Sequence, residues 1–291
     1  MLKKPTAPEA EAYLDFAYSL ALDPSRSGYP TYTDGIKTKM DFLECCRYGL
    51  TNPDRLVLLY LREERVCGWI QTLIEPESRY LEANIFNISE GYGDALAEFI
   101  DYCHDNYPGY RLCFGIPGEN REAIDYFTAH GWPCEERSYN DVLCFDDYTP
   151  LPEKKGIVRV TSENYDAFRT LHESVQGEMY WNADQIYDAL DRWNIWMLER
   201  DGKAQAAIYV RDSGILMEIY GVDYLGGHYQ KEAFSALVIK ALNACKEAGK
   251  KHMVFFNDDE TQADIRKLGF RCVGEYRMYA SPKEKGTDIC E

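Results

Sequence analysis

These 291 residues contain no CxxC pair, no long apolar run and no excess of positive charge. Each absence closes off a class of protein. The ten cysteines stand at 45, 46, 67, 103, 113, 134, 144, 245, 272 and 290, mostly inside apolar runs. A reduced thiol there behaves as a small hydrophobe, so neither structural disulfides nor a zinc site is expected. His and Cys spacing offers no other metal site, and no Ser-His-Asp or Cys-His arrangement is present. No apolar run approaches the roughly 20 residues that span a bilayer, which argues against a membrane partner. The first residues, Met1 to Ala10, lack the apolar core of a signal peptide, and a cytoplasmic, reduced protein is expected. Lys and Arg number 32 against 49 Asp and Glu, a net charge of −17. Backbone phosphates would be repelled by that surplus, so nucleic acid is not an expected partner.

What is present fits a globular protein, with 45% hydrophobic and 28% charged residues. The length suits two domains of ordinary size. A repeat supports that division. Arg111-Leu-Cys-Phe-Gly-Ile leads through Gly118 into a helical stretch that closes on Gly131-Trp132. His252-Met-Val-Phe-Phe leads through Asn257 into another, closing on Gly269-Phe270. A period of 138 residues, from Gly131 to Gly269, is that of a domain and not of a solenoid turn. The charge is shared unequally: residues 1–150 carry −13 and residues 151–291 carry −4. An anionic ligand would find the later half less hostile.

Apolar spacing predicts helices over Pro8–Leu22 and Ile36–Tyr48, separated by a loop at Asp23–Pro30. Arg55–Leu61 and Val66–Ile74 read as a hairpin about Arg-Glu-Glu-Arg, with a third strand at Tyr80–Ile88. A helix to about Asn106, a strand at Arg111–Ile116, a helix at Asn120–His130 and a last strand at Tyr139–Phe145 follow. The first half has no evident opening strand. Two prolines and several charges mark 148–155 as a linker between domains 1–147 and 156–291. The later half opens with a strand at Gly156–Thr161, then helices at Asn164–Val175 and Ala183–Asp191. Strands are expected at Ile195–Glu199, Ala204–Val210 and Ile215–Val222. A helix at Tyr229–Ala248, a strand at His252–Asn257, a short helix and a closing strand at Cys272–Ala280 complete it. The expected fold class is therefore α/β, a mixed, mostly antiparallel sheet flanked by helices, built twice.

This order resembles the GNAT N-acetyltransferase superfamily, repeated in tandem over essentially the whole chain. The family's late motif, Asn-x-x-Ala-x-x-Phe-Tyr-x-x-x-Gly-Phe, is matched in register by Asn120, Ala123, Tyr126, Phe127, Gly131 and Trp132. Phe127 stands where the family usually has the tyrosine that protonates the departing coenzyme A thiolate. In the later half Asp258, Thr261, Asp264 and Ile265 take those places, and only Gly269-Phe270 survive. The family's other motif is a Gln/Arg-x-x-Gly-x-Gly/Ala loop that cradles pyrophosphate on backbone N–H groups at a helix start. The first half keeps Gly91-Tyr92-Gly93, but Ile88 replaces Gln/Arg, and Glu90 and Asp94 flank the glycines. The later half offers Leu225-Gly-Gly-His-Tyr-Gln-Lys231.

The resemblance implies an acyl-CoA, acetyl-CoA first, as cosubstrate, and an amine or amino-terminal group as acceptor. Electrostatics favour the later half as its site, with Tyr220, Val222, Gly226, Gly227, His228, Lys231 and Asn257 as cofactor-binding candidates. Glu218 is the candidate base and Glu82 its counterpart; Tyr220, Tyr224 and Tyr229 are candidates for the missing phenol. Ile88, Gly91, Gly93, Asn120 and Phe127 form a possible second cofactor site. Trp181, Trp193 and Trp196 would line an apolar acceptor pocket, and His172 reads as a helix residue at the core edge. Each candidate has a plain structural alternative: a strand Glu facing solvent, a loop histidine, a helix-capping Asn257. Two functions stay open: an acyl-CoA-dependent N-acyltransferase, and a non-catalytic tandem module that binds a ligand or partner and regulates. An aminoacyl-transferring relative acting with charged tRNA is disfavoured by the acidic balance.

Overall fold

A computed structural model describes residues 1–174, 181–214 and 216–282. Val175, Ile215 and Cys290, which the sequence reading touched, lie outside the described residues. The chain forms two compact units, one of Met1–Ser138 with Gly274–Glu291, the other of Tyr139–Val273. This differs from a division into 1–147 and 156–291. Alternation of apolar and polar residues sets which face of a strand is buried, but not which sheet edge receives it.

In the first unit the strands β1 (Leu2–Lys3), β2 (Arg55–Arg62), β3 (Arg65–Glu75), β4 (Tyr80–Ile88) and β5 (Arg111–Pro117) are neighbours in that order. The later residues of β12 (Arg271–Ala280), from Tyr276 to Ala280, pair antiparallel with β5 and complete the sheet. An opening strand does exist: two residues, Leu2 and Lys3, pair with Tyr60 and Leu59. The β2–β3 hairpin forms as expected, and Glu63 and Glu64 in its turn both take positive φ, the twist a two-residue hairpin requires.

One sheet face packs beneath α4 (Tyr92–Asn106) and α5 (Arg121–Ala129) around Phe86, Phe99, Phe114 and Phe127. The other carries α1 (Ala7–Glu11), α2 (Leu14–Ala21) and α3 (Lys39–Thr51) over Phe42, Trp69 and Ile85. The single helix expected over Pro8–Leu22 is thus two. Thr38 and Asp41 form a capping box that fixes the start of α3, three residues later than expected.

In the second unit the order is β7 (Ile157–Arg159), β8 (Trp193–Arg200), β9 (Lys203–Ser213), β10 (Leu216–Tyr224), β11 (His252–Asn257), then residues Tyr139–Cys144 of β6 (Cys134–Cys144). The strand read as closing the first half therefore pairs with β11 along its whole length. α8 (Lys231–Glu247) and α9 (Gln262–Lys267) cover one face, over Phe234, Leu237 and Phe255. α6 (Tyr165–Glu173) and α7 (Ala183–Asp188) cover the other, over Phe168, Trp193 and Tyr209.

Residues 148–155 do not hang free. Asn243 on α8 accepts from the Tyr148 hydroxyl at 2.8 Å and the Leu151 N–H at 3.2 Å, and donates to Leu151 O and Glu153. Lys240 adds a 2.9 Å ion pair to Glu153. The stretch expected as a linker is thus held at Tyr148, Leu151 and Glu153 along the flank of α8.

Candidate functional site

In both units a parallel strand pair opens part way along its length. β4 and β5 are in register from Tyr80–Arg111 to Ala83–Phe114, and beyond that point they part. β10 and β11 are in register from Leu216–His252 to Ile219–Phe255 and then part. A register irregularity between Ile219 and Gly221 turns β10 at the point of parting. Gly221 is required there: a Cβ would lie 2.2 Å from the Tyr209 hydroxyl.

In the first unit the chain itself fills the gap. The Tyr29 N–H donates to Gly115 O at 2.9 Å, and the Ile88 N–H donates to Arg26 O at 2.9 Å. Residues 26–29 thus bridge β4 and β5 as an inserted strand would. The Asn120 amide donates to Ser27 O at 3.1 Å, and a Cβ on Gly28 would meet Phe86 at 3.3 Å and Gly115 O at 3.4 Å. At the start of α4, where Gly91 takes a left-handed φ of 69°, the Tyr92 N–H donates to the Glu122 carboxylate at 3.1 Å. Arg26 pairs with the same carboxylate at 3.2 Å, and Arg62 and Arg65 are spent on Asp94 and Glu90.

Of the possible second cofactor site, then, Ile88 and Asn120 bind the chain's own loop. Gly91 and Gly93 belong to a helix start already holding a carboxylate. Phe127 is fully buried, stacked on Tyr279 at 4.6 Å and packed on Phe114 and Trp132. It is core. Sequence reasoning had the motif register but could not see that a loop 60 residues before β4's end returns between the strands. Glu82, on β4, is half-buried, and burial raises its carboxyl above the usual range although Arg55 opposes the shift.

In the second unit the corresponding gap lies beyond Ile219 and Phe255. Among the described residues, no backbone hydrogen bond like those of Arg26 and Tyr29 crosses between the parted ends of β10 and β11. Gly226 and Gly227 follow β10 with φ of 87° and 71°, and nothing lies within 4 Å of where their Cβ atoms would be. Gln230, at the α8 N-cap, makes no side-chain capping bond, so the first N–H groups of this 17-residue helix have no cap from it. Buried polar atoms without a hydrogen-bond partner lie at the ends of both strands: Tyr224 Oη on β10 and Asn257 Oδ1 on β11. The Asn257 amide nitrogen is engaged, donating to Asp141 at 2.9 Å, and does not cap the next helix. Such unpaired buried acceptors and donors are costly.

Lys231 is exposed and reaches Asp264 at 2.7 Å, and Lys267 reaches the same carboxylate at 2.9 Å. With the Tyr229 hydroxyl donating at 2.9 Å, these partners hold the Asp264 carboxyl well below the usual range. The sequence register had put Asp264 opposite Tyr126 without this role. His228 is exposed and Val222 half-buried against the α8 face.

Glu218 and Tyr220 lie toward the α6 face. Glu218 is half-buried and in register with Arg211 on β9 and Val254 on β11. The Tyr220 ring packs on Trp193 at 5.1 Å, and its hydroxyl accepts from Arg211 Nη1 at 3.0 Å. Burial raises the phenol's pKa, so it stays protonated at neutral pH. Trp181 and Trp193 pack together at 5.5 Å on this face. Trp196, one residue out of phase along β8, points to the α8 side and is not part of that wall. His172 is fully buried, with Nδ1 2.9 Å from Asp223 and Nε2 2.9 Å from Trp181 O. Both ring nitrogens face acceptors, and although burial opposes it, these partners raise the imidazole pKa.

No protein-family model matches the sequence, and no curated protein matches it. Solved structures do. A GCN5-related N-acetyltransferase from Sphaerobacter thermophilus superposes with a TM-score of 0.66 at 10% identity, over 97% of this chain and 95% of that one. A tandem GNAT protein from the clavulanic acid biosynthesis pathway, solved without AcCoA, gives 0.58 at 12% identity, over 97% and 98%. A GCN5-related glucosamine N-acetyltransferase region of a fungal multidomain β-N-acetylglucosaminidase gives 0.62 at 11% identity, over 97% of this chain and 38% of that one. The mixed sheets with parted parallel strands are thus two copies of the GNAT fold. The whole chain has the tandem GNAT arrangement.

Proposed function

We propose that the second unit is an acyl-CoA-dependent N-acyltransferase centre, with acetyl-CoA as the first donor to test and a small amine or amino-terminal group as acceptor. The observation that carries this reading is the contrast between two gaps of one design: residues 26–29 thread the first, and no described backbone bridges the second. Tyr224 Oη and Asn257 Oδ1 supply buried hydrogen-bonding atoms for the pantetheine amides. Gly226, Gly227 and the uncapped start of α8 supply N–H groups and helix-dipole charge for the pyrophosphate. Lys231 and Lys267 bring two cations to that end, where the carboxylates of Asp264, Glu232, Asp258 and Glu260 also lie.

An amine near its solution pKa of about 10 arrives protonated. Glu218 takes that proton as the nitrogen attacks the thioester carbonyl. Backbone N–H groups of β10 beyond Ile219 face the developing oxyanion. Tyr220, kept protonated by burial, returns a proton to the departing thiolate. The first unit then serves as a scaffold whose own loop has taken the ligand's place.

Calorimetry with acetyl-CoA tests the assignment. Gly227→Glu puts a carboxylate into the open cradle and should weaken binding at least about tenfold, the effect of ~1.4 kcal/mol. Gly93→Glu should leave it unchanged. The reverse pattern would overturn the assignment. The Asp264 carboxylate, already sitting between two lysines at the α8 start, favours a second reading, a regulatory module without turnover. Ligand-dependent stabilisation with no thiol release, unaffected by Glu218→Gln, would establish that one instead.

A further inference from the structure

Arg211 is brought to the same sheet face as Glu218 by the β9–β10 register, and no motif had drawn attention to it. Its guanidinium lies over the Trp181 ring at 5.0 Å and near the Tyr220 ring at 5.9 Å. Nη1 donates to the Tyr220 hydroxyl. That is its sole hydrogen bond among the described residues, and none of their ion pairs within 4 Å uses it. The adjacent Asp212 is taken by Lys250 at 2.7 Å. A guanidinium is charged at any physiological pH, and aromatic stacking occupies its faces while leaving its edge for a planar, bidentate partner. Here the Nε–Nη2 edge is the part left over. Arg211 is half-buried.

We propose that Arg211 binds an anionic group of the acceptor, so that the amine to be acylated belongs to a carboxylate-bearing compound of the amino-acid class. Glu218 and Arg211 are direct cross-strand partners, with Cβ atoms about 5 Å apart in such pairs. A zwitterion with ammonium and carboxylate on one carbon fits that arrangement, ammonium to Glu218 and carboxylate to Arg211. Trp181 and Trp193 form an apolar wall beside it for a side chain. In a chain of net charge −17, a half-buried cation is the feature that admits a carboxylate. The inference rests on the acyltransferase reading for the word acceptor, but the binding it asserts stands apart from turnover.

The experiment compares each α-amino acid with its amide and its decarboxylated amine as acceptor for acetyl-CoA, following thiol release. For the preferred side chain, kcat/KM should favour the acid by more than about tenfold, carried mainly by KM. Arg211→Gln should bring the ratio near one, and Arg211→Lys should restore part of it. A wild-type ratio of one, or a ratio unmoved by Arg211→Gln, overturns the proposal. If no acceptor is turned over, calorimetry of the amino acids themselves decides: saturable binding lost in Arg211→Gln supports the site, and no binding refutes it. Amino-acid binding without any acetyl-CoA binding would instead sink the acyltransferase reading alone.

Discussion

The buried pair of His172 and Asp223 makes stability depend on pH in a direction that can be worked out. His172 on α6 is fully buried and stacked on Phe168 at 5.3 Å, with the Tyr209 ring at 5.2 Å. Burial by itself lowers the imidazole pKa. The bond to Asp223, the Trp181 carbonyl and the Asp223 charge, with Glu173 adding to them, outweigh burial and leave the pKa raised. A group whose pKa is higher folded than unfolded stabilises fully below the unfolded value, about 6.5, and the contribution is lost as pH climbs through the folded value. In His172→Gln the ion is gone at every pH, leaving Asp223 buried without a cation, at a cost of about 3–5 kcal/mol near pH 6.

Denaturant titrations from pH 5.5 to 9.5 on wild type and His172→Gln would measure the difference directly. It should be flat below about 6.5 and then shrink with a slope no steeper than about 1.4 kcal/mol per pH unit. A difference that stays constant or grows above pH 6.5 would refute the charged-pair argument. Because His172 also holds the Trp181 carbonyl, the variant should raise acceptor KM more than it lowers kcat.

Phe127→Ala should destabilise the first unit by about 3–5 kcal/mol, read by the same titrations, because a fully buried ring packed among four others leaves a cavity. Gly221→Ala should cost about 1–3 kcal/mol and lower acetyl-CoA affinity in calorimetry, since the new methyl displaces the Tyr209 hydroxyl at the point where β10 turns away from β11. Gly28→Val should expel residues 26–29 from between β4 and β5, exposing the Tyr29 and Ile88 amides to fast hydrogen exchange. It should not create acetyl-CoA binding in the first unit, because Glu122 still occupies the α4 start. Asn243→Ala should make 149–154 sensitive to limited proteolysis while α8 stays protected.

The tandem repeat, the βαβ order near each Gly-aromatic close and the hairpin about Glu63-Glu64 were legible in the sequence, because turn chemistry and side-chain periodicity are local properties. So was the stronger electrostatic case for the later half, since charge adds up along a chain regardless of fold. Strand pairing was not local. That Tyr139–Cys144 pairs with β11, and Tyr276–Ala280 with β5, follows from edges meeting in space, which periodicity does not encode. The fate of the glycine loops was decided the same way: Gly91 and Gly93 fit the pyrophosphate pattern better than Gly226 and Gly227. Yet tertiary structure set Glu122 against the first pair and left the second open. Arg211 and Glu218 are seven residues apart in sequence with no motif joining them, and only the β9–β10 register makes them neighbours. Residues alone determined two folded units of one design. That the loop at 26–29 fills the gap between β4 and β5 was settled by long-range hydrogen bonds, which no short stretch of sequence contains.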